Sequence, residues 1–168
     1  QKDAFSLLAE SVTANHLEQV IIPLLGDLRQ LPSELPKRSF DLVVCNPPYF
    51  RQNPFHNDQR AAAREELLCT LQDVCAAAAA LLRPKGRLCV CLRPERLPEL
   101  FAAMSHFRME PKRLRLAADH PSKSPWLALV EARLQAKPSL QVEPVFFAKN
   151  PDGSPSPEMT GLFLPGNV

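Results

Sequence analysis

The sequence has little glycine, few aromatic residues and no long apolar run. Five of its 168 residues are glycine, none precedes Gly26, and none has the spacing of a phosphate- or nucleotide-binding loop. Aromatic residues make up 7% of the chain. No stretch reaches the roughly 20 continuous apolar residues of a membrane span, and residues 1–3 do not resemble a basic signal-peptide start. We therefore expect a cytoplasmic protein without a membrane partner.

The net charge of the chain is also small. Twenty Lys and Arg residues against eighteen Asp and Glu residues give a formal charge of +2, which is too balanced to require a polyanionic partner. A nucleic-acid function must therefore be argued from a site. A hydrophobic fraction of 45% predicts one globular domain with a core and excludes a disordered or collagen-like chain.

The cysteines are odd in number and include no Cys-x-x-Cys pair with zinc-ligand spacing. They all lie in apolar runs, where Cys commonly fills core space. We predict reduced core thiols for Cys45, Cys69, Cys75, Cys89 and Cys91. The four histidines have no metal-ligand spacing, and no metal site is predicted.

Hydrophobic periodicity predicts helices over residues 3–15, 58–82 and 95–106, and strands over residues 20–25, 40–45, 87–92, 113–117 and 127–134. The order α-β-β-α-β-α-β-β is typical of an α/β fold. Strand 40–45 has almost no polar alternation, as expected for a strand buried on both faces of a parallel sheet. Residues 83–86, Arg-Pro-Lys-Gly, are predicted to end the long helix.

The chain beyond Ala136 is rich in proline, which favours turns and extended backbone. We divide the sequence into residues 1–135 and a tail, residues 136–168, which packs on or extends from the same domain.

The most informative segment is Asn46-Pro47-Pro48-Tyr49, directly after strand 40–45. Ligand sites in open α/β sheets lie at the carboxyl ends of strands. The two prolines restrict the backbone, so that the Asn46 carboxamide and the Pro47 carbonyl are held in one stiff arrangement. These two oxygens can accept the two N–H groups of a planar amine, such as the exocyclic nitrogen of adenine. Tyr49 and Phe50 supply flat faces for a stacked base.

Each of these features also has a plainer interpretation. Asn and Pro end strands in ordinary turns. Basic residues near the motif and in a second cluster could contact phosphates, but surface charges are usually only solvated. They are Arg51, Arg60 and Arg64, and then Lys112, Arg113 and Arg115.

Asn46-Pro47-Pro48-Tyr49 resembles the catalytic motif of the S-adenosylmethionine-dependent amino-methyltransferases. Segments 81–88, 92–97, 111–115 and 129–132 extend this likeness, and nearly the whole chain resembles the bacterial tRNA1(Val) (adenine-N6)-methyltransferase family. That resemblance implies a Rossmann-like class I fold and S-adenosylmethionine as the cofactor. It also implies methyl transfer to N6 of an adenosine in the anticodon loop of a valine tRNA.

The resemblance also implies roles for individual residues. Asp27, with Leu28 beside it, would contact the cofactor adenine, although an Asp after Gly26 is also a common turn residue. The catalytic residues would be Asn46, Pro47, Pro48 and Tyr49, with Asn46 also facing the cofactor. The tRNA contacts would be Tyr49, Phe50, Arg51 and Arg64.

The family's first strand, glycine-rich loop and second strand have no counterpart in this sequence. We therefore expect a class I fold truncated at its amino terminus, whose cofactor binding needs that segment or a partner chain. Strand 20–25 would then pair with strand 40–45 or remain as an exposed apolar edge.

Two other functions stay open. The same motif occurs in the release-factor type of protein glutamine-N5 methyltransferase. A non-catalytic RNA-binding remnant that has lost the cofactor is the other alternative.

Overall fold

A computed structural model describes residues 2–47 and 69–163. The chain forms two compact units, residues 1–35 and residues 36–168. The first unit contains helix α1, Lys2–Ala14, whose buried residue is Val12. The helix ends where His16 adopts a left-handed backbone conformation with φ of 54°, and the Asn15 side chain donates to the Ser11 carbonyl over 2.8 Å. The predicted first helix is thus confirmed within one residue at each end.

The predicted strand over residues 20–25 is wrong. Val20 lies in a turn, and residues 21–25 have no regular structure. Ile22 is 86% exposed. A strand needs a neighbour for its backbone hydrogen bonds, and residues 2–35 contain no second strand. Pro23 also lacks the amide proton that a sheet interior requires.

The second unit contains the sheet. Its elements within residues 36–47 and 69–163 are, in chain order, β1 (Phe40–Cys45), α2 (Leu71–Leu81), β2 (Leu82–Leu92), a 3-10 turn (Pro94–Arg96), α3 (Leu97–His106), β3 (Met109–Ala118), β4 (Leu127–Leu134), β5 (Gln141–Val142), β6 (Phe146–Phe147) and α4 (Pro157–Gly161). The strand order is β1-β2-β4-β3-β5, and β6 also pairs with β3. Strands β1 and β2 are parallel, whereas β4 is antiparallel to both β2 and β3. The predicted α/β class is confirmed.

The predicted long helix does not continue through residue 70. Thr70 is the N-cap of α2: its hydroxyl accepts from the Asp73 amide over 3.1 Å, and the Asp73 carboxylate accepts from the Thr70 amide over 2.8 Å. This reciprocal capping box starts a new helix at Leu71. Residues 58–68 of the predicted helix lie outside the described residues.

Residues 83–86 lie inside β2 instead of separating helix from strand. They form an irregularity in the β1–β2 ladder, where Phe40 pairs with Leu82 but Leu42 pairs with Arg87. Lys85 adopts φ of 65° there. A Cβ on Gly86 would lie 2.9 Å from the Arg83 carbonyl oxygen and 3.1 Å from that of Phe40, so the close approach of β1 requires glycine.

Helices α2 and α3 cover one face of the sheet and form the core with it. Alternate residues of β2 and β4 point to this face, as strand geometry dictates. The fully buried strand residues include Leu88, Leu92, Ala128 and Ala132, and α3 contributes Leu100 and Met104.

The other face of the sheet is far more exposed; we call it the open face. It carries Val44 of β1, Cys89 and Cys91 of β2, and Leu129 of β4, which neighbour one another in the strand register. Val44 is 71% exposed and Leu129 is 39% exposed. Burial of β1 on both faces was therefore wrongly expected in this unit.

The tail is tied to β3. Short strands β5 and β6 pair with it, and the Glu143 amide donates to the Leu114 carbonyl over 2.9 Å. Lys112 donates to the Ser139 hydroxyl over 2.9 Å. The proline-rich segment thus adds two short extended strands to the sheet.

Within the described ranges, the helices are all too short or too polar to cross a membrane.

Candidate functional site

Asn46 stands at the carboxyl end of β1, where the sequence placed it. Val44 and Cys45 are in register with Cys89 and Val90, so Asn46 follows on level with Cys91 and on the same face of the sheet. Asn46 is exposed and Pro47 is buried. The strand end thus presents the Asn46 carboxamide to solvent from an anchored backbone.

A side chain of β2 contacts the Asn46 carboxamide directly. The Cys91 thiol donates a hydrogen bond to Asn46 Oδ1 over 3.1 Å. A carboxamide oxygen has two lone pairs, so Oδ1 retains the capacity to accept a second hydrogen bond. The arrangement can bind an N–H donor while the thiol holds the oxygen.

Cys45 points to the opposite face. Burial raises the pKa of the Cys45 thiol to about 11, with smaller contributions from the neighbouring thiols Cys69 and Cys91. It is therefore protonated at neutral pH and a poor nucleophile. All five cysteines lie in the described ranges, where Cys75 is buried and the other four are half-buried. The prediction that all five fill the core is confirmed for Cys75 and wrong for Cys89 and Cys91, which lie on the open face, whereas Cys45 and Cys69 are half-buried.

A cavity of about 430 Å³ lies over the open face and has Asn46 at one side. Its floor is mainly apolar, with Val44 and Leu129 among its lining residues. Charged residues border it on β3 and in the tail, namely Arg113, Arg115 and Glu143.

The arginines of the basic cluster on β3 form ion pairs within the protein. Arg113 pairs with Glu143 over 2.6 Å and with the buried Glu131 over 3.5 Å. The Glu143 carboxylate, through its hydrogen bond and its charge, raises the pKa of Arg113. Arg115 pairs with Glu158 and donates to the Pro144 carbonyl over 3.0 Å. These two arginines hold the tail, so plain solvation does not describe them.

Asp27 begins a tight turn in the first unit. The Gln30 amide donates to the Asp27 carbonyl over 3.0 Å, and Arg29 binds the Asp27 carboxylate, with Nη2 2.6 Å from Oδ2. The side-chain hydrogen bond from Arg29 lowers the pKa of Asp27 to about 2. The carboxylate is therefore ionised and exposed at neutral pH, and it accepts four hydrogen bonds from Arg29, one of them from the Arg29 backbone amide.

Gly26 packs closely against the ring of Pro32. A Cβ at this position would lie 2.9 Å from Pro32 Cγ. Leu28, the other predicted cofactor contact, is 38% exposed in the same turn.

Several predicted site residues lie outside the described residues. They are Pro48, Tyr49, Phe50, Arg51, Arg60 and Arg64. Among the residues that the structure does describe, no cluster of His, Cys, Asp or Glu could hold a metal ion.

Comparison with solved structures identifies the fold. The chain is similar to the crystal structure of a predicted O-methyltransferase from Agrobacterium tumefaciens, with a TM-score of 0.75 and 18% identity, over 96% of this chain and 73% of that one. The protein has the Rossmann-like fold of class I methyltransferases.

Curated relatives agree with the resemblance stated from the sequence. The chain is 34% identical over 111 residues to a tRNA1(Val) (adenine(37)-N6)-methyltransferase of Porphyromonas gingivalis, which covers 64% of this chain and 44% of that protein. It is 29% identical over 122 residues to a protein of the same name from Shewanella pealeana, covering 70% and 46%. The chain thus spans less than half the length of these relatives. No protein-family model matches it.

Sequence reasoning missed two features of the site. It assigned Cys91 to the core, although the alternation of β2 places this residue on the face opposite Leu92. It also did not pair Arg113 with Glu143, because nothing local in the sequence relates residues thirty positions apart.

Proposed function

We propose that the protein is an S-adenosylmethionine-dependent methyltransferase that modifies the exocyclic N6 of an adenosine in tRNA. The observation that carries this proposal is the exposed Asn46 carboxamide at the carboxyl end of β1, beside the buried Pro47, with its oxygen held by Cys91. The names of the relatives support the adenine and the tRNA. By the same resemblance, the target is the anticodon-loop adenosine of a valine tRNA.

Asn46 and Pro47 would act by positioning the amine. The exocyclic nitrogen of adenine is a weak nucleophile because its lone pair is delocalised into the ring. Asn46 Oδ1 and the Pro47 carbonyl would accept its two N–H groups and leave the lone pair directed toward the methyl donor. Tyr49 would stack against the base. No nucleophilic side chain is needed, which agrees with the protonated state of Cys45.

The residues at the turn after Gly26 suit the proposed cofactor. The ionised Asp27 carboxylate accepts hydrogen bonds, and Arg29 holds it rigidly; Leu28 adds an exposed apolar side chain. Asp27 would accept from the adenine amine of S-adenosylmethionine, which supplies an electrophilic methyl group when it is bound. We therefore propose Asp27 and Leu28 as cofactor contacts.

A methyl-transfer assay tests the reaction. The protein is incubated with labelled S-adenosylmethionine and unmodified tRNA, and label is sought in N6-methyladenosine. We expect transfer by the wild-type protein and a loss of at least about a hundredfold in Asn46→Ala, because the oriented acceptor is removed. Asn15→Ala, at the end of α1, is the matched control.

Other outcomes of this assay would overturn the proposal. Methyl transfer by Asn46→Ala at the wild-type rate would show that Asn46 is not needed for the reaction. In a parallel incubation with release factor as the acceptor, label in its glutamine and none in tRNA would favour the glutamine methyltransferase. Salt-dependent RNA binding without transfer or cofactor binding would favour the non-catalytic alternative.

Calorimetric titration of S-adenosylmethionine tests Asp27. We expect Asp27→Ala to weaken binding by about tenfold, as for the loss of a hydrogen bond to a charged group. The control is Asp41→Ala, which breaks another exposed pair, between Asp41 and Arg83 at 2.5 Å. An equal loss in both variants would contradict a specific role for Asp27.

A further inference from the structure

We infer that Cys91 is a positioning residue that fixes which end of the Asn46 side chain faces the target amine. The inference rests on the proposed function, because it assigns a reason for the orientation of Asn46. Nothing in the Asn-Pro-Pro-Tyr motif itself includes Cys91, which lies 45 residues further along the chain.

The carboxamide of Asn46 has two ends of nearly equal size and opposite hydrogen-bonding character. The oxygen accepts hydrogen bonds, whereas the nitrogen donates two. An amine bound through its own N–H groups needs the oxygen, and a rotated carboxamide would present donors to donors. A reaction that depends on Asn46 Oδ1 therefore needs something that distinguishes the two ends.

Cys91 provides that distinction through its thiol. Its Sγ lies 3.1 Å from Asn46 Oδ1, within the reach of an S–H donor. A thiol is a better partner for the oxygen than for the nitrogen, because sulfur is only a weak acceptor. The bond uses one lone pair of the oxygen and leaves the other for the substrate.

The sheet keeps the two residues together. Cys45, the last residue of β1, is paired with Val90 in the parallel ladder. The residues that follow them in the chain, Asn46 and Cys91, therefore lie at the same level. Their position is set by the backbone hydrogen bonds of two strands whose opposite face is packed against the core. The thiol therefore reaches the carboxamide from a rigid support, as a positioning residue must.

Kinetic measurements on three variants test the assignment. We expect Cys91→Ala to lower kcat for tRNA by about fivefold, the effect of one lost hydrogen bond, with KM for tRNA within twofold of wild type. Cys91→Ser restores a donor and should recover most of the rate. Cys89→Ala makes the same change two residues earlier on the same face and should leave kcat unchanged.

A second readout does not depend on turnover. The side-chain amide signals of Asn46, assigned by their loss in Asn46→Ala, report its hydrogen bonding by nuclear magnetic resonance. We expect them to shift in Cys91→Ala, and to stay close to the wild-type position in Cys91→Ser and Cys89→Ala. Thermal unfolding of each variant establishes that it is folded.

The outcomes separate this inference from the proposed function. Unshifted Asn46 signals in a folded Cys91→Ala protein would overturn the inference, whatever the activity. Equal losses of kcat in Cys91→Ser and Cys91→Ala would also overturn it, because packing and not donation would then be at work. Asn46 signals that shift in Cys91→Ala, combined with a wild-type protein that transfers no methyl group, would support the contact and reject the proposed function.

Discussion

The two faces of the sheet use the same strands for different purposes. On β2, Leu88 and Leu92 are fully buried beneath the helices, whereas Cys89 and Cys91 on the open face are half-buried. The covered face supplies stability through close packing. The open face carries Asn46, which we propose orients the target amine. Because side chains alternate along a strand, one segment can pack the core with every second residue and present the residues between them on the open face.

The largest expected effect compares one leucine from each face. Leu88→Ala should lower the free energy of unfolding by about 2–5 kcal/mol, because it removes buried volume from a packed core. Leu129→Ala, on the open face, should cost about 1 kcal/mol or less. Urea unfolding of both variants measures the two losses. Equal losses would contradict the comparison and indicate that the open face is covered in solution.

A smaller effect is expected at the start of the helix that covers the core. Thr70→Ala removes the capping box of α2 and should lower the free energy of unfolding by about 1 kcal/mol. Thr13→Ala, within α1, is the control and should change stability by much less. Urea unfolding of the two variants decides the matter, and an unchanged Thr70→Ala midpoint would exclude the cap as a source of stability.

The smallest effect concerns the tail beside the open face and depends on pH. The Arg113 guanidinium lowers the pKa of Glu143 below its ordinary value of 4.5. A carboxyl with a lowered pKa stabilises the folded state above its unfolded pKa and loses that contribution as pH falls through its folded pKa. Glu143→Gln should therefore lower the unfolding temperature at about pH 7, and this loss should shrink as the pH falls through the lowered pKa of Glu143.

The partner of Glu143 provides the control for this titration. In an Arg113→Gln background, Glu143→Gln should change the unfolding temperature less at neutral pH, because the ion pair is already broken. A difference that persists undiminished at low pH would show that Glu143 acts through packing and not through its charge.

Local patterns predicted much of the fold. The bounds of β1 and β4 follow from their apolar runs and agree with the structure. The position of Asn46 at a strand end follows in the same way, because the consecutive prolines Pro47 and Pro48 lack the amide protons that further pairing would use. Such predictions succeed where a segment's own composition decides its conformation.

Other predictions failed where a local signal needed a distant partner. Residues 20–25 have strand composition but no neighbouring strand within residues 2–35. Helix α2 begins after Thr70, although the apolar periodicity runs through this position, because the capping bonds between Thr70 and Asp73 outweigh the continuity of the pattern.

By itself, the sequence determined the α/β class, the strand that leads into Asn46-Pro47-Pro48-Tyr49, and the resemblance to adenine methyltransferases. The tertiary structure alone decided which face of each strand is buried, that Cys91 contacts Asn46, and that Arg113 and Arg115 bind the tail. The physical reason is that conformational preference is local to a segment, whereas strand register and side-chain pairing join residues that are far apart in the chain.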